Sequence, residues 1–297
     1  MPNAKLRNYL HLHFIVFIWG FTAVLGALIS IDAIPLVWYR MLIAAVLILG
    51  FMAITKKPLK ITNKQLVWYS IGGILIAVHW LCFFHAIKIS NVSVTLATMA
   101  TGAFFTSILE PIIYKRKFIL YELVLGLFVV AGLAIIFQFE GDYFWGICFA
   151  LVASLLAAFF SILNGKLVQE NNPTTISFYE LLIGVLGITI YLGIVGDFNT
   201  DFFSLTNTDW LYIGLLASFC TAYAFIASTA VMKYLSPYTV MLTINLEPVY
   251  GILLAWLILG DKEQMSPQFY YGALIILITV VINGILKNRK AKSVKAV

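Results

Sequence analysis

Apolar runs of about twenty residues follow one another along almost the whole chain, and they constrain its fold more than any other feature. A helix of about 20 apolar residues can cross the hydrocarbon core of a bilayer, which is about 30 Å thick. Only 11% of the 297 residues are charged, against about 25% in a typical soluble domain. The sequence therefore predicts an all-α polytopic membrane protein with ten transmembrane helices. The predicted spans are Tyr9–Ser30, Pro35–Thr55, Gln65–Ile87, Val92–Tyr114, Leu120–Phe137, Phe144–Val168, Thr174–Val195, Trp210–Met232, Pro237–Leu259 and Phe269–Leu286.

The basic residues are divided unevenly between the two sides of the predicted spans. Of the 19 lysines and arginines, sixteen fall on one side, only Lys88 and Lys262 fall on the other, and Arg40 lies within a span. Loops rich in lysine and arginine stay in the cytoplasm. We therefore expect both termini to be cytoplasmic in a multi-pass protein of the cell (plasma or inner) membrane. The same asymmetry accounts for most of the formal net charge of +6, so we expect lipid and a small-molecule substrate as partners, and no nucleic acid.

The two halves of the sequence repeat one another. Residues Phe21–Leu28 align with Phe160–Leu167, and Tyr39–Ile43 align with Tyr179–Ile183. The offset drifts only from 139, between Phe21 and Phe160, to 146, between Gly126 and Gly272. Such a steady offset indicates an internal repeat. We predict a first five-helix repeat at residues 9–138, a second at residues 144–286, and a basic cytoplasmic tail at residues 287–297.

An odd number of helices in each repeat means that the second copy enters the membrane upside down relative to the first. Inverted repeats are typical of secondary transporters, in which the binding site lies near the middle of the bilayer. Rocking between the two halves then opens that site to each side in turn. The repeat alone therefore predicts alternating access.

The span Pro237–Leu259 carries polar residues and a proline near its middle. A carboxylate at the depth of Glu247 costs roughly 2.5–3.5 kcal/mol on insertion scales and tends to face a wet, functional interior. Pro248 has no N–H, so the carbonyl of Ile244 loses its helix partner and the helix should bend there. We expect Glu247 to bind solute or a proton; the alternative is a neutral carboxyl group held by a hydrogen bond. Asn245, on a different helix face, is a further candidate.

Two further carboxylates and one arginine lie nearer the ends of predicted spans. Glu110 precedes Pro111, a second candidate helix break, and lies near the cytoplasmic mouth. It could pair with the basic loop, or it could act as an inner gate or proton acceptor. It is not the repeat partner of Glu247, because the offset of 145–146 places that partner at Thr101 or Gly102. Arg40 and Glu180 are repeat partners, near the outer and the inner face. Each is a gate or a contact for substrate charge, or else a snorkelling or ion-paired residue.

Polar and aromatic residues of the third, fourth and eighth spans are further binding candidates. His79 could contact a proton or solute, or form an interior hydrogen bond. The hydroxyls of Thr98 and Thr101, on one helix face, either line a wet cavity or bond back to their own helix. Trp80 and Tyr223 either line the cavity or serve packing and interfacial anchoring. We expect no metal and no cofactor, since the histidines of the third span form a poor metal pair and the three cysteines are far apart.

Three short motifs carry a resemblance to a known family. They are Trp19-Gly20 in the first span, Tyr39-Arg40 in the second, and the pattern that runs from Glu247-Pro248 through Leu259-Gly260-Asp261-Lys262-Glu263 to Gly272. With ten spans in two inverted repeats, the chain resembles the drug/metabolite transporter superfamily, specifically its EamA type, over nearly its whole length. That family has Gly-Glu after the ninth helix; here Asp261 takes the Glu position, or Glu263 is displaced by two residues. The resemblance implies secondary transport, often export of amino acids or other metabolites, from a central cavity lined by the third, fourth, eighth and ninth helices.

We therefore predict a secondary transporter that exports a small organic metabolite, amino-acid-like or drug-like, by alternating access, with proton coupling left open. An enzyme is not expected, because the sequence has no nucleophile–base pairing, metal-ligand spacing or phosphate-binding glycine loop. One alternative is uptake, or exchange of a metabolite such as a nucleotide sugar, although Arg40 is the main cation available for a diphosphate. Another is a pore or receptor without coupled transport.

Overall fold

Helices make up nearly all of the chain that the structure describes. The structure is a computed structural model, and it describes residues 2–115, 117–118, 120–235 and 237–293. No strand occurs among these residues. The α-helices are α1 (Pro2–Leu28), α2 (Ala33–Thr55), α3 (Asn63–Ile89), α4 (Val92–Met99), α5 (Gly102–Ile113), α6 (Leu120–Phe139), α7 (Phe144–Leu167), α8 (Pro173–Val195), α9 (Asn207–Ala217), α10 (Ala224–Val231), α11 (Pro237–Ile244), α12 (Glu247–Leu259) and α13 (Pro267–Ser293). Short 3₁₀ turns lie at Gly141–Tyr143, Asp201–Phe203 and Gly260–Glu263, and a π-helical turn, Ser218–Tyr223, joins α9 to α10.

Long apolar helices confirm an all-helical, multi-pass membrane protein. In the described part of the chain, seven stretches are long and apolar enough to cross a membrane: Leu6–Leu28, Ala33–Thr55, Asn63–Ile89, Val92–Ile113, Gly141–Leu167, Pro173–Val195 and Asn207–Val231. Shorter apolar helices lie at Val124–Phe139, Glu247–Leu259 and Pro267–Thr279. Large apolar side chains face outward, among them Ile54, 83% exposed, and Leu257, 70% exposed, as a lipid-facing surface requires. The number of ten spans remains a prediction.

Polar caps fix where several helices begin. The Thr62 hydroxyl accepts a hydrogen bond from the backbone N–H of Gln65, whose side chain accepts one from the N–H of Thr62, so α3 begins with a capping box. Thr206 and Asp209 form the same arrangement at the start of α9. Asn172 caps α8, and Pro173 occupies the first turn, where its missing N–H costs nothing.

Two of the predicted spans are interrupted at matching places. The helix pair α4–α5 is broken at Ala100-Thr101 and α11–α12 at Asn245-Leu246. At each break one N–H bonds three residues back instead of four: Thr101 N–H to the Thr98 carbonyl, at 3.1 Å, and Leu246 N–H to the Thr243 carbonyl, at 3.0 Å. These residues differ by 145 in number, which is the offset of the repeat. A short 3₁₀ stretch inside a helix often marks a hinge.

The two prolines predicted to break helices behave differently. The break before Pro248 agrees with its missing N–H, since α12 begins at the adjacent Glu247. The predicted break at Pro111 is wrong, because α5 continues through Pro111 to Ile113. The missing N–H of Pro111 leaves the Ser107 carbonyl without its helix partner, but this single lost bond does not end α5, which runs two residues further.

The packing of the helices is the same when the two halves of the chain are exchanged. α3 packs on α7 and α8, while α9 and α10 pack on α1, and α9 and the π-turn pack on α2. α1 packs on α12, and its repeat counterpart α7 packs on α5 in the same way. The contacts α2–α8 and α6–α13 each join two helices that correspond to one another in the repeat. At the crossing of α6 and α13, a Cβ atom on Gly132 would lie 2.8 Å from the Gly272 carbonyl oxygen. Glycine is therefore required there for the two backbones to meet.

Candidate functional site

A cavity lies between the two helix breaks. Its volume is about 100 Å³, and both breaks contribute to its wall: Met99 and Ala100 from one, Ile244 and Asn245 from the other. It is lined by α1, α2, α3, α7 and α10 in addition to α4, α11 and α12. The third, fourth, eighth and ninth spans therefore contribute to the wall, as predicted. The first, second and sixth spans contribute as well.

Arg40 lies in this cavity, although it was predicted near the outer mouth. Its side chain is 1% exposed, and its Nε donates a hydrogen bond of 2.6 Å to the Thr221 hydroxyl. The guanidinium carbon lies 3.8 Å from the centre of the Trp80 ring, a cation–π contact. Nη1 has no hydrogen-bond partner. The long side chain thus brings a charged donor from α2 into the centre of the protein, with the NH₂ group of Nη1 left for a ligand.

Glu247 lies in the same cavity and opens α12. It is half-buried and lines the cavity together with Arg40. Asn245, 3% exposed, lies two residues earlier, at the start of the helix break, and its Nδ2 has no hydrogen-bond partner. A carboxylate acceptor and two unsatisfied donors therefore border one small space. This combination suits a ligand that carries both a negative and a positive group.

His79 adds a group that can accept. Nδ1 of His79 donates to the Ala153 carbonyl oxygen at 2.8 Å, since a carbonyl can only accept. In the neutral ring, Nε2 is then the acceptor. His79 lines the cavity, so both readings of this residue hold: it forms an interior hydrogen bond and it borders the cavity.

The remaining wall is apolar and aromatic. Phe225 stands between Trp80, with ring centres 5.7 Å apart, and Phe160, with stacked rings 5.5 Å apart. Trp19 lies on the wall as well and donates its indole N–H to the Cys220 carbonyl at 3.2 Å. A ligand in this cavity would meet rings over much of its surface, as drug-sized ligands commonly do.

Three predicted binding residues lie outside the cavity wall. Thr98 donates its hydroxyl to the Val94 carbonyl, and Thr101 donates to the Thr98 carbonyl, so these hydroxyls bond back to their own helix. Tyr223 is 40% exposed on the outer surface, where its hydroxyl pairs with Nε2 of His11 at 2.8 Å. The cavity role predicted for these three residues does not agree with their positions.

The two buried glutamates predicted as gates are also absent from the cavity wall. Glu180 is 0% exposed and accepts a hydrogen bond of 2.9 Å from Nδ2 of Asn164. It is packed between α3, α7 and α8, in an interhelical contact away from the lining residues. Glu110 is 2% exposed near the end of α5.

Thr221 also shapes the site, and sequence reasoning did not identify it. Thr221 belongs to the π-helical turn Ser218–Tyr223, and its hydroxyl donates to the Leu216 carbonyl, five residues back, at 2.7 Å. The same oxygen accepts from Arg40. π-helical turns inside α-helices frequently occur at functional sites, but no proline or glycine marks this one in the sequence.

Comparison with known proteins agrees with this architecture. The profile of the EamA-like transporter family matches residues 8–138 and 144–285. The chain belongs to this family. As an EamA-like protein it is a membrane transporter. A protein of Clostridium kluyveri named an uncharacterized transporter is 26% identical over 286 residues, which cover 90% of this chain and 88% of that protein. A crystal structure of a protein that is 15% identical superposes with a TM-score of 0.66, covering 94% of this chain and 96% of that one, and so shares its fold.

Proposed function

We propose that this EamA-like protein is a secondary transporter that exports a small, amino-acid-like metabolite by alternating access. The observation that carries the proposal is the pair Arg40 and Glu247 in one cavity with aromatic walls. A carboxylate of the solute would bind Nη1 of Arg40 and Nδ2 of Asn245. An ammonium group would bind Glu247, and an apolar side chain would face Trp80 and Phe225.

The cavity is less suited to a solute with two phosphates. Among the described residues that line the cavity, Arg40 is the one lysine or arginine, and a diphosphate is usually held by several cations. The wall is also largely apolar. We therefore favour an amino-acid-like solute over a nucleotide sugar.

Alternating access is supported by the exchangeable packing and the paired helix breaks. In the proposed arrangement, ten spans form two inverted repeats, at residues 9–138 and 144–286, and the cavity lies between them near the middle of the bilayer. Both termini, including the basic tail at residues 287–297, would be cytoplasmic in the plasma or inner membrane. The excess of lysine and arginine in the loops of that side supports this orientation.

The test is transport by reconstituted vesicles against a metabolite panel, with and without a pH gradient. The panel should pair each amino acid with the amine that lacks its carboxylate and the acid that lacks its amine. We expect the zwitterions to be transported best. Arg40→Gln should lower their apparent affinity by roughly 10- to 100-fold, the worth of a hydrogen bond to a charged group. Equal transport of the amines would refute the role of Arg40.

Two further variants test whether an effect on transport is specific to residues that line the cavity. Glu247→Gln should impair transport, and full transport by this variant at every pH would show that Glu247 has no central role. Tyr223→Phe is the matched control, because Tyr223 lies outside the cavity. We expect it to transport like the wild type.

A further inference from the structure

A second polar cluster lies buried between α3, α7 and α8, apart from the cavity. It consists of Tyr69, Asn164, Ser177 and Glu180, and each of these side chains is 0% exposed. None of them lines the cavity. Its centre is the hydrogen bond of 2.9 Å from Asn164 Nδ2 to Glu180 Oε1. The cluster joins α3 of the first half to α7 and α8 of the second.

The other two oxygens of this pair have no hydrogen-bond partner. Asn164 Oδ1 and the ionised Glu180 Oε2 can only accept, and both are unpartnered. A proton on Glu180 Oε2 removes this conflict, because the acid O–H can then donate to Asn164 Oδ1 while Asn164 Nδ2 donates to Oε1. Acid and amide would satisfy each other through two hydrogen bonds.

No counter-charge reaches Glu180 in the described part of the chain. The titratable groups that face it are phenols, Tyr69 on α3 and the neighbouring Tyr179 of α8, whose rings are stacked 6.0 Å apart. α7 contributes the neutral amide of Asn164. α2 and α10, which also pack on α8, bring no charged side chain into interaction with Glu180 among the described residues. An ionised Glu180 would therefore be a buried charge without a partner, which costs several kcal/mol.

The packing around Glu180 is close. The carboxyl group lies against Gly72, and the Glu180 backbone carbonyl lies against Gly73, where a Cβ atom would come within 2.6 Å. A proton needs no space, whereas a metal cation with its oxygen ligands does. The contact between α3 and α8 therefore favours a proton over a bound ion.

We propose that Glu180, paired with Asn164, is a proton-binding site that is separate from the solute cavity and holds the two halves together in this conformation. The inference rests on the proposed transport function for its role in the cycle. When α8 separates from α3, water reaches Glu180 and accepts its proton, and the carboxylate that remains is solvated. The hydroxyls of Tyr69, on α3, and Ser177, three residues before Glu180 on α8, have no partner in this conformation, so both are available as donors once the carboxylate is formed. Return to this conformation takes a proton back from water.

The proton itself can be tested without transport. Glu180→Gln has the shape and the hydrogen bonds of the protonated acid. Because the wild type must keep a proton that its unfolded chain releases, its unfolding constant should rise relative to that of Glu180→Gln by up to about tenfold per pH unit above pH 5. Thermal unfolding of the purified protein in detergent at pH 5.5, 7 and 8.5 measures this. Glu110→Gln is the matched control for loss of another buried glutamate, since Glu110 is also almost fully buried.

Infrared spectroscopy gives a second readout that does not depend on stability. The carbonyl band of a protonated carboxylic acid should persist at pH 8.5 in the wild type and be reduced in Glu180→Gln. An unchanged band, or the same pH dependence of unfolding in both proteins, would overturn the proposal. These measurements could confirm the proton site while the protein transports no compound of the metabolite panel. That result would overturn the proposal of an amino-acid-like solute but not the proton-binding site.

Discussion

Glu263, at the end of the family motif after α12, should be the acidic residue on which the stability of α4 depends. Its side chain is 3% exposed; Oε1 accepts from the Val92 N–H at 3.1 Å, and Oε2 accepts from the N–H and the hydroxyl of Ser93 at 2.9 and 2.8 Å. In Glu263→Gln one acceptor becomes an NH₂ group, so at least one N–H of the α4 terminus loses its partner and the favourable charge there is removed. A hydrogen bond to a charged group contributes about 1.5–3 kcal/mol and the charge at a helix start about 0.3–1 kcal/mol. We expect a loss of about 2–4 kcal/mol.

Asp261 provides the matched control, because it is the other acidic residue that could take the family's Glu position. It is exposed, and its carboxylate accepts from Nε2 of Gln264, three residues away. Asp261→Asn should change stability by no more than about 0.5 kcal/mol. Denaturant unfolding in detergent micelles, followed by the helical signal, compares the two variants. The role assigned to Glu263 is wrong if the two variants lose the same free energy of unfolding. It is also wrong if Glu263→Gln unfolds at the same denaturant concentration as the wild type.

Two other substitutions test contacts of Arg40 and Glu180. Thr221→Val keeps the side-chain shape but removes the oxygen that accepts from Arg40 Nε; we expect solute affinity in vesicles to fall by roughly tenfold, and unchanged affinity would contradict a positioning role. Gly72→Ala would press a methyl group against the Glu180 carboxyl and should lower the free energy of unfolding by about 1–3 kcal/mol. Gly50→Ala, whose methyl group would meet nothing within 4 Å, is its control, and equal stability of these two variants would contradict the close packing.

The helices could be predicted from the sequence because two local signals agree. The bilayer fixes the length of an apolar run, and capping residues fix where it starts. The third span, predicted at Gln65–Ile87, is observed as Asn63–Ile89, directly after its Thr62 cap. The break at Ala100-Thr101 has no such signal. Its counterpart at Asn245-Leu246 precedes a proline, whereas the proline that the sequence offered in the fourth span, Pro111, lies eleven residues from Ala100 and does not interrupt α5.

The site was less predictable, because side-chain ends and long-range contacts decide it. Arg40 lies near the start of α2, so its sequence position indicated the mouth, but its guanidinium reaches Thr221, 181 residues away in the chain. The face shared by Thr98 and Thr101 was predicted, but a carbonyl of the same helix is within reach of such hydroxyls at almost any position. Whether a threonine lines a cavity therefore depends on the neighbouring helices. Glu247 and Asn245 were found because a proline beside a carboxylate is an unusual local signal inside an apolar span.

The repeat duplicates the packing of the helices, but the polar side chains proposed to bind the solute each occur in only one of the two halves. At the offset of 145, Asn245 corresponds to Ala100, Glu247 to Gly102 and His79 to Ala224, and at the offset of 140 Arg40 corresponds to Glu180. The packing of the helices, in contrast, is unchanged by the exchange. If the two halves exchange roles during transport, the matching frames keep the two access states close in energy. The unmatched side chains then bind the solute in a single orientation, whichever side is open. In the two roles that we propose, Glu180, the buried partner of Arg40 in the repeat, binds a proton while Arg40 binds the solute.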